Sequence, residues 1–443
     1  MSKITAKAKI TAVTARAVLD SRGFPTVEAR MEAGSGRGGA VVGVASVPSG
    51  RSVGRHEAVE LRDDDRRWHG HGVSKAVSHV NVQLAGALIG QDVADQAALD
   101  RTMRELDGTP NLARLGANAV LAVSLACLRA AAALAKQPLW RYVAEQRGAG
   151  EPNRLPVPLV NVINGGAHAP NNLTIQEFLL VPHGFGSFGD ALRAASETYE
   201  TLGQLLSGRG ASTGLGDEGG YAPDLDNHLT ALEIMVEAIT QAGYKPGDEI
   251  SLGLDLAANS FHQDTGYVLA GHGLTSEQLV TEYDQLTQRF PLVLLEDPLA
   301  EDDSEGWQTL VTRLGESVQV VGDDLTVTDS KRITAAAKAG EVTGVILKPN
   351  QIGTYTDAAA ARQAAAEANL TTIASHRSGE TTDDWIADLA VGWDCDQIKA
   401  GAVARGERTA KYNRLLEIER VLGSGMEYAG QDLLKRLKGG RRG

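Results

Sequence analysis

The chain has 443 residues and a formal net charge of −13, with 42% hydrophobic residues, 22% charged residues and two cysteines. This length and composition are typical of a globular protein with two domains, or with one barrel and an added domain. The negative charge argues against a nucleic-acid partner. Cys127 and Cys395 are too few for a disulfide framework, which indicates a reducing compartment.

The first third of the chain mixes short strands with helices. Residues 10–33, ITAVTARAVLDSRGFPTVEARMEA, predict two strands around a turn. Residues 47–63, VPSGRSVGRHEAVELRD, form either a loop that holds a phosphate on backbone N–H groups or an ordinary turn, and they run into the predicted start of a helix. Residues 88–135 are predicted to be mostly helical. Their apolar part, 117–135, contains Arg129 and is expected to be a buried helix rather than a membrane span.

The Gly- and Pro-containing residues 145–156, EQRGAGEPNRLP, predict a domain boundary. Residues 1–144 are then a smaller α+β domain that carries the loop, and residues 145–443 form the second domain. Eight apolar, β-rich runs occupy the second domain, at residues 158–164, 174–182, 250–257, 292–298, 318–325, 344–350, 371–378 and 396–402. Two helical segments, 190–207 and 225–242, follow the second run, and further helical stretches alternate with the later runs.

Near-continuous apolar strands that alternate with helices are typical of parallel strands buried on both faces of a sheet. Eight such strands predict an α/β fold of the (β/α)8 barrel type. The first two strands have no helix between them, so we expect an antiparallel first pair followed by two helices. The predicted second domain is therefore a ββαα(βα)6 barrel.

Each of the last six predicted strands ends in an ionisable residue. These residues are, in chain order, Asp255, Glu296, Asp323, Lys348, His376 and Lys399. One charge at a strand end is ordinarily the point where the chain meets water, but six in succession are hard to explain by solvation alone. Because barrel active sites lie at the carboxyl ends of the strands, we expect these six side chains to meet at one mouth.

Three carboxylates followed by two lysines indicate a particular chemistry. Asp255, Glu296 and Asp323 supply only hard oxygen ligands, which favours Mg²⁺ over Zn²⁺. A lysine beside a divalent cation loses its proton more easily and can act as a base. A metal next to such a base suits removal of a proton α to a carboxylate, because the metal stabilises the charge that develops on the carboxylate oxygens.

Five further residues are weaker candidates taken singly. Glu218 lies among glycines in GDEGGYAP and Glu177 lies in IQEF, and paired carboxyl groups can keep one of them protonated as a general acid. Each is otherwise an ordinary solvated acid. Arg377 and Ser378, in SHRSGET, suit recognition of a phosphate or carboxylate. A lone loop histidine such as His168, in INGGAHA, is ordinarily structural, and only the other candidate residues favour a functional role for it.

Twelve short motifs run in order along nearly the whole chain: VLDSRGFPTVE, PSGRSVGRHEAVELRD, GANAVLAVSLA, NVINGGAHA, IQEF, GDEGGYAP, LEDPLAEDD, VGDDLTVT, LKPNQIGT, SHRSGET, IADLAVG and KYNRLLEIE. In these motifs the sequence closely resembles the enolase family. The resemblance implies Mg²⁺-dependent dehydration of 2-phospho-D-glycerate to phosphoenolpyruvate, two Mg²⁺ per active site, a cytoplasmic location, and a homodimer or higher homo-oligomer.

The resemblance also implies roles for individual residues. The metal ligands are Asp255, Glu296 and Asp323 for the first Mg²⁺ and Ser52 for the second. The catalytic residues are Lys348, which removes the C2 proton, Glu218, which protonates the departing 3-hydroxyl, and Glu177, His168, His376 and Lys399 beside them. The substrate-binding residues are Gln176, Arg377, Ser378, Lys399, His168 and Ser52.

Some residues depart from the usual family pattern. Phe24 stands where Asn is usual, and Arg51 and Val53 stand where Ala and Thr usually flank Ser52. These departures motivate one alternative, an enolase-like paralogue acting on a related phosphorylated or phosphonate three-carbon acid, such as the carboxyphosphonoenolpyruvate synthase of phosphinothricin biosynthesis. A second alternative is a non-catalytic binding protein with the same fold.

Overall fold

A computed structural model describes residues 8–35, 38–51 and 53–437 of the chain. The N-terminal part begins with an antiparallel sheet of three strands in the order β1-β2-β3, which are β1 (Lys9–Leu19), β2 (Pro25–Ser35) and β3 (Gly38–Ser46). Its α-helices are α1 (Ser74–His79), α2 (Ala85–Leu88), α3 (Gln96–Asp107), α4 (Ala117–Leu134) and α5 (Leu139–Gln146). The predicted strand pair is confirmed, whereas β3 was not among the predicted strands.

Helix α4 packs on β2 and β3 and contacts α3 and α5. Among the described residues it is the one helix long and apolar enough to cross a membrane, and 83% of it is buried inside the protein. The prediction of a buried helix is therefore confirmed. Close packing here depends on Gly43, because a Cβ at this position would lie 2.0 Å from the carbonyl oxygen of Ala126 in α4.

The predicted helix start at the end of the 47–63 loop is wrong. The described residues of this loop contain no helix, because several of their backbone N–H groups bond to other segments of the chain. Ala58 donates to the carbonyl of Gln351 at 2.7 Å, and Val59 donates to the carbonyl of Asn111 at 2.8 Å. These bonds replace the i→i−4 bonds of a helix, and the bond to Gln351 attaches the loop to the second part of the chain.

The second part of the chain contains the remaining strands and helices. In chain order they are β4 (Arg154–Leu155), β5 (Val157–Asn164), β6 (Glu177–Val181), α6 (Phe188–Gly208), α7 (His228–Gln241), β7 (Ser251–Asp255), β8 (His262–Gln263), β9 (Gly266–Leu269), β10 (His272–Leu274), α8 (Ser276–Arg289), β11 (Leu292–Glu296), α9 (Ser304–Leu314), β12 (Gln319–Gly322), α10 (Ser330–Ala339), β13 (Gly344–Leu347), α11 (Pro349–Ile352), α12 (Tyr355–Glu367), β14 (Thr371–Ser375), α13 (Trp385–Gly392), β15 (Gln397–Gly401), α14 (Gly406–Leu422), β16 (Glu427–Tyr428) and α15 (Gly430–Leu437). The domain boundary near residue 144 stays a prediction.

Eight of these strands close into a barrel in the order β11-β12-β13-β14-β15-β5-β6-β7. Strand β6 runs antiparallel to β5 and β7, and the other neighbouring strands are parallel. The barrel strands are buried almost throughout, as their near-continuous apolar sequences predict. The predicted ββαα(βα)6 barrel is confirmed, with β6 as its reversed strand.

The contact between β3 and α4 gives a test of this packing. Gly43→Ala should lower the free energy of unfolding by about 1–3 kcal/mol, because the new methyl group forces the sheet and the helix apart. The change is measured as a shift of the urea midpoint. Gly39→Ala, in the same strand, is the control, because no neighbouring atom lies within 4 Å of the Cβ that it adds. Equal losses in the two variants would contradict the packing described here.

Candidate active site

Eleven predicted site residues line one cavity at the end of the barrel where the parallel strands finish. They are His168, Gln176, Glu177, Glu218, Asp255, Asp323, Lys348, His376, Arg377, Ser378 and Lys399, and all of them are buried. Glu296 is fully buried and bonds to Lys399. Ser52 lies outside the described residues, so its predicted contacts with metal and substrate stay predictions.

The reversed strand β6 explains how Glu177 reaches this cavity. Glu177 is the first residue of β6 and pairs with Asp255, the last residue of β7. Asp255 in turn pairs with Glu296, the last residue of β11. Because β6 runs opposite to its neighbours, its beginning lies at the same end of the barrel as their carboxyl ends. Three carboxylates therefore lie side by side on adjacent strands.

Lys399 is the cation around which these three carboxylates gather. Its Nζ lies 2.7 Å from Asp255 Oδ2, 2.7 Å from Glu296 Oε2 and 3.2 Å from Glu177 Oε2. Burial lowers the pKa of Lys399, but the surrounding carboxylates raise it well above its usual value. The lysine is therefore held as a cation in a region where an unpaired charge would be costly.

Lys348, which follows β13, forms a second ion pair with Asp323. Gln351 donates to the other carboxylate oxygen of Asp323 at 2.9 Å. Burial by itself would lower the pKa of Lys348, but the carboxylates of Asp323 and Glu296 raise it above its usual value. Lys348 can therefore serve as a base only when another positive charge offsets these carboxylates.

Glu177, His168 and Glu218 form a connected acid–base group. His168 Nδ1 lies 3.4 Å from Glu177 Oε1 and 3.6 Å from Glu218 Oε1. Burial and the charge of Glu218 raise the pKa of Glu177 to about 7. Burial also raises the pKa of Glu218, but His376, His168 and Arg408 outweigh it and lower that pKa well below the usual value. A proton in this group therefore resides on Glu177 or His168 in preference to Glu218.

Arg377 is tied to the 47–63 loop. Its guanidinium forms a two-pronged ion pair with Glu57, at 2.8 and 3.1 Å, and both side chains are buried. Ser49 in the same loop exchanges backbone hydrogen bonds with Gly379, at 2.8 and 2.9 Å. Gly50 leaves room for this side chain, because a Cβ at that position would lie 2.0 Å from Arg377 Nη2. The loop and the SHRSGET segment therefore hold one another in place over the cavity.

Arg51, the main departure in this loop, extends across the rim of the cavity. Its Nη1 donates to the carbonyl of Ala167 at 2.6 Å, and its Nε lies 3.2 Å from Asp217 Oδ2. Its backbone N–H donates to Ser378 Oγ at 2.8 Å. Arg51 thus joins the loop to the segments that carry His168 and Glu218. The side chain of Val53 is largely exposed.

The residues of the cavity fit a divalent cation. Asp255, Glu296 and Asp323 offer carboxylate oxygens, and Glu296 Oε1 is buried without a hydrogen-bond partner among the described residues. A neighbouring acidic group, formed by Asp297, Asp323 and Asp324, has ligand atoms within 4.8 Å of one another. The Asp297 carboxylate, however, already accepts the backbone N–H groups of Asp323 and Asp324 at 2.8 and 2.9 Å. Asp297 therefore orients the Asp323 turn.

Four residues that bond to and orient parts of the cavity were not predicted from the sequence. Glu57 orients Arg377, Gln351 and Asp297 orient Asp323, and Arg408 bonds to His376. All four lie within the family-like motifs or beside them, but no strand-end pattern singles them out. Their contacts cross between distant segments, so only the folded chain reveals them.

A closed barrel whose buried mouth gathers carboxylates, lysines and an arginine defines an enzyme that binds a cation and a small anionic substrate. The family model described as "Enolase, N-terminal domain" matches residues 10–143, and that described as "Enolase, C-terminal TIM barrel domain" matches residues 152–437. A curated protein named "Enolase", from Acidothermus cellulolyticus (strain ATCC 43068 / DSM 8971 / 11B), is 49% identical over 438 residues, which cover 98% of this chain and 100% of that protein. The chain belongs to the enolase family.

The contacts of Arg51 predict that it restrains the loop. Arg51→Ala removes the bonds to Ala167 and Asp217, so we expect faster hydrogen–deuterium exchange of the backbone amides in the 47–63 loop. Arg30→Ala is the matched control, because the Arg30 side chain is 49% exposed, against 48% for Arg51, and pairs with Glu32 on the N-terminal sheet. Unchanged exchange in Arg51→Ala would show that the loop is held without this side chain.

Proposed function

We propose that the protein is a carbon–oxygen lyase that dehydrates 2-phospho-D-glycerate to phosphoenolpyruvate, the reaction of the enolase family to which it belongs. The positions of Lys348 and Glu177 in the barrel support this proposal. Strands β13 and β6 lie four positions apart in the eight-stranded barrel, so they stand on opposite sides of it. Lys348 follows β13 and Glu177 begins β6. A base and an acid group can thus act on opposite sides of one bound substrate.

Lys348 is the proposed base for the C2 proton. Its ammonium pairs with Asp323, so the lysine must be relieved of that partner before it can accept a proton. Asp255, Glu296 and Asp323 would hold a divalent cation, which would offset the charge of these carboxylates and of the substrate carboxylate. Lys399, held among carboxylates, is proposed to pair with the substrate carboxylate.

The proposed acid is Glu218, acting together with Glu177 and His168. Loss of the 3-hydroxyl as water requires a proton, and Glu218 by itself is a carboxylate with a lowered pKa. Glu177, whose pKa is raised to about 7, and His168 hold the proton close by. We therefore propose that the three side chains share one proton and deliver it through Glu218.

The remaining predicted residues bind and orient the substrate in this proposal. Arg377 and Ser378 contact the phosphate, His376 lies beside them, and Gln176 lies beside the substrate. The bonds of Arg377 to Glu57 hold its guanidinium in a fixed orientation, which limits the entropy lost when the substrate binds. Ser52 is proposed to help bind a second cation together with the phosphate.

Several finer properties are also proposals. The cation is proposed to be Mg²⁺, because the ligands are hard oxygens, and two ions per site are proposed from the resemblance to the enolase family. The protein acts in glycolysis in the cytoplasm and forms a homodimer or a higher homo-oligomer. The alternative of a phosphonate-acting paralogue is not favoured, because both family models and the curated relative carry the name enolase.

A direct assay tests the function. The protein with Mg²⁺ and 2-phosphoglycerate should produce phosphoenolpyruvate, followed by its ultraviolet absorbance. Lys348→Ala should lower kcat by about 10²–10⁴-fold, because the base is lost. Lys338→Ala, a change of the same type in α10, should leave kcat unchanged. Folded, metal-loaded protein that does not turn over 2-phosphoglycerate would overturn the proposal, and turnover of a phosphonate analogue instead would support the paralogue.

Thermal unfolding tests the metal site separately from activity. Mg²⁺ should raise the unfolding temperature, since a ligand that binds only the folded state stabilises it. Glu296→Gln should reduce this Mg²⁺-dependent increase, because it removes the charge of one proposed ligand. Glu305→Gln, in α9, is the control and should retain the full increase. Equal increases in both variants would exclude Glu296 from the metal site.

A further inference from the structure

Arg408 is a fully buried arginine that takes part in none of the steps of the proposed reaction. It lies in α14, and its guanidinium reaches two loop segments around the cavity. It donates to the carbonyl oxygens of Arg377 at 2.6 Å, Ser378 at 2.5 Å and Asp217 at 3.1 Å. Its Nη1 also lies 2.6 Å from Nδ1 of His376. Arg408 therefore touches the neighbours of both His376 and Glu218.

The contact with Nδ1 determines where the His376 ring carries its proton. A guanidinium has only N–H donors and stays charged, so Nδ1 must be the acceptor. The proton of a neutral ring then resides on Nε2. This atom lies 3.2 Å from Glu218 Oε2 but without hydrogen-bond geometry, and no hydrogen-bond partner for it is found among the described residues. The N–H of the ring thus lies beside the Glu218 carboxylate.

We propose that Arg408 is a positioning residue that holds His376 as the neutral Nε2–H tautomer beside Glu218. The catalytic consequence rests on the proposed function. A ring whose Nδ1 is engaged by a guanidinium cannot take up a second proton there, so His376 does not withdraw the proton shared by Glu177, His168 and Glu218. The N–H on Nε2 stabilises the Glu218 carboxylate between proton transfers.

The electrostatic surroundings of His376 agree with this role. Burial is the largest effect and, together with the charge of Arg408, lowers the pKa of His376 to about 3. The carboxylate of Glu218 acts in the opposite direction but does not outweigh burial. His376 is therefore neutral at ordinary pH, and its tautomer is the property that Arg408 controls.

Nitrogen NMR of the full-length protein labelled with ¹⁵N-histidine tests the proposal without any turnover. The His376 signals are assigned by their loss in His376→Ala. In the wild type we expect a single Nε2–H tautomer. Arg408→Met should convert it to a tautomer mixture. Arg405→Met is the matched control, because Arg405 donates to the carbonyls of Gly216 and Ser21 at 3.1 and 2.9 Å without contacting His376, and its His376 signals should be unchanged.

Kinetics then separate positioning from general support of the loops. Arg408→Met should lower kcat about tenfold or more, and Arg408→Lys, which retains a strict donor, should restore the tautomer and part of kcat. In the His376→Ala background the same substitution should change kcat less than twofold, because an effect exerted through His376 is lost.

An Nδ1–H tautomer in the wild type would overturn the proposal. This measurement needs only the wild-type protein, so it tests the proposal even if Arg408→Met does not fold. An unchanged His376 spectrum in folded Arg408→Met, or a full additional loss of kcat in the His376→Ala background, would also overturn it. A wild-type protein inactive on 2-phosphoglycerate would instead refute the proposed function, and the NMR result would still decide the role of Arg408.

Discussion

The structure depends on carboxylates and lysine ammonium groups that are buried together at one end of the barrel. Three carboxylates, those of Glu177, Asp255 and Glu296, surround the ammonium of Lys399, and Asp323 pairs with Lys348. A buried charge without a partner costs several kcal/mol, so each of these groups is tolerable only in the presence of the others. The strand register must therefore bring them to the same level, and the reversed direction of β6 is what adds Glu177 to the set.

The N-terminal part of the chain completes the electrostatics of this site. Its 47–63 loop supplies Glu57 to Arg377, and Arg51 to the segments on the other side of the cavity. The loop buries charges at the mouth, and buried charges interact more strongly because the dielectric constant around them is low. That is why two neighbouring glutamates can differ so widely in pKa: Glu177 faces Glu218, whereas Glu218 has two histidines and an arginine around it.

Much of the fold could be predicted because its signals are local. Apolar runs of strand length and the helices between them indicated the barrel, and the missing helix after the first run indicated an antiparallel pair. The predicted helix start in the 47–63 loop was wrong because Ala58 and Val59 donate to Gln351 and Asn111, which are distant in sequence. The same limit applied to Glu57, whose partner lies 320 residues further along the chain.

The sequence by itself determined the barrel and the ionisable residues at its strand ends, since periodicity and chain direction depend only on neighbouring residues. Tertiary structure alone decided which charges are partners. Lys399 meets Asp255 across 144 residues, and Arg408 meets His376 across 32. The protonation of each group follows from its burial and from the charges beside it, and both are properties of the closed barrel, because they arise only when distant strands and loops come into contact.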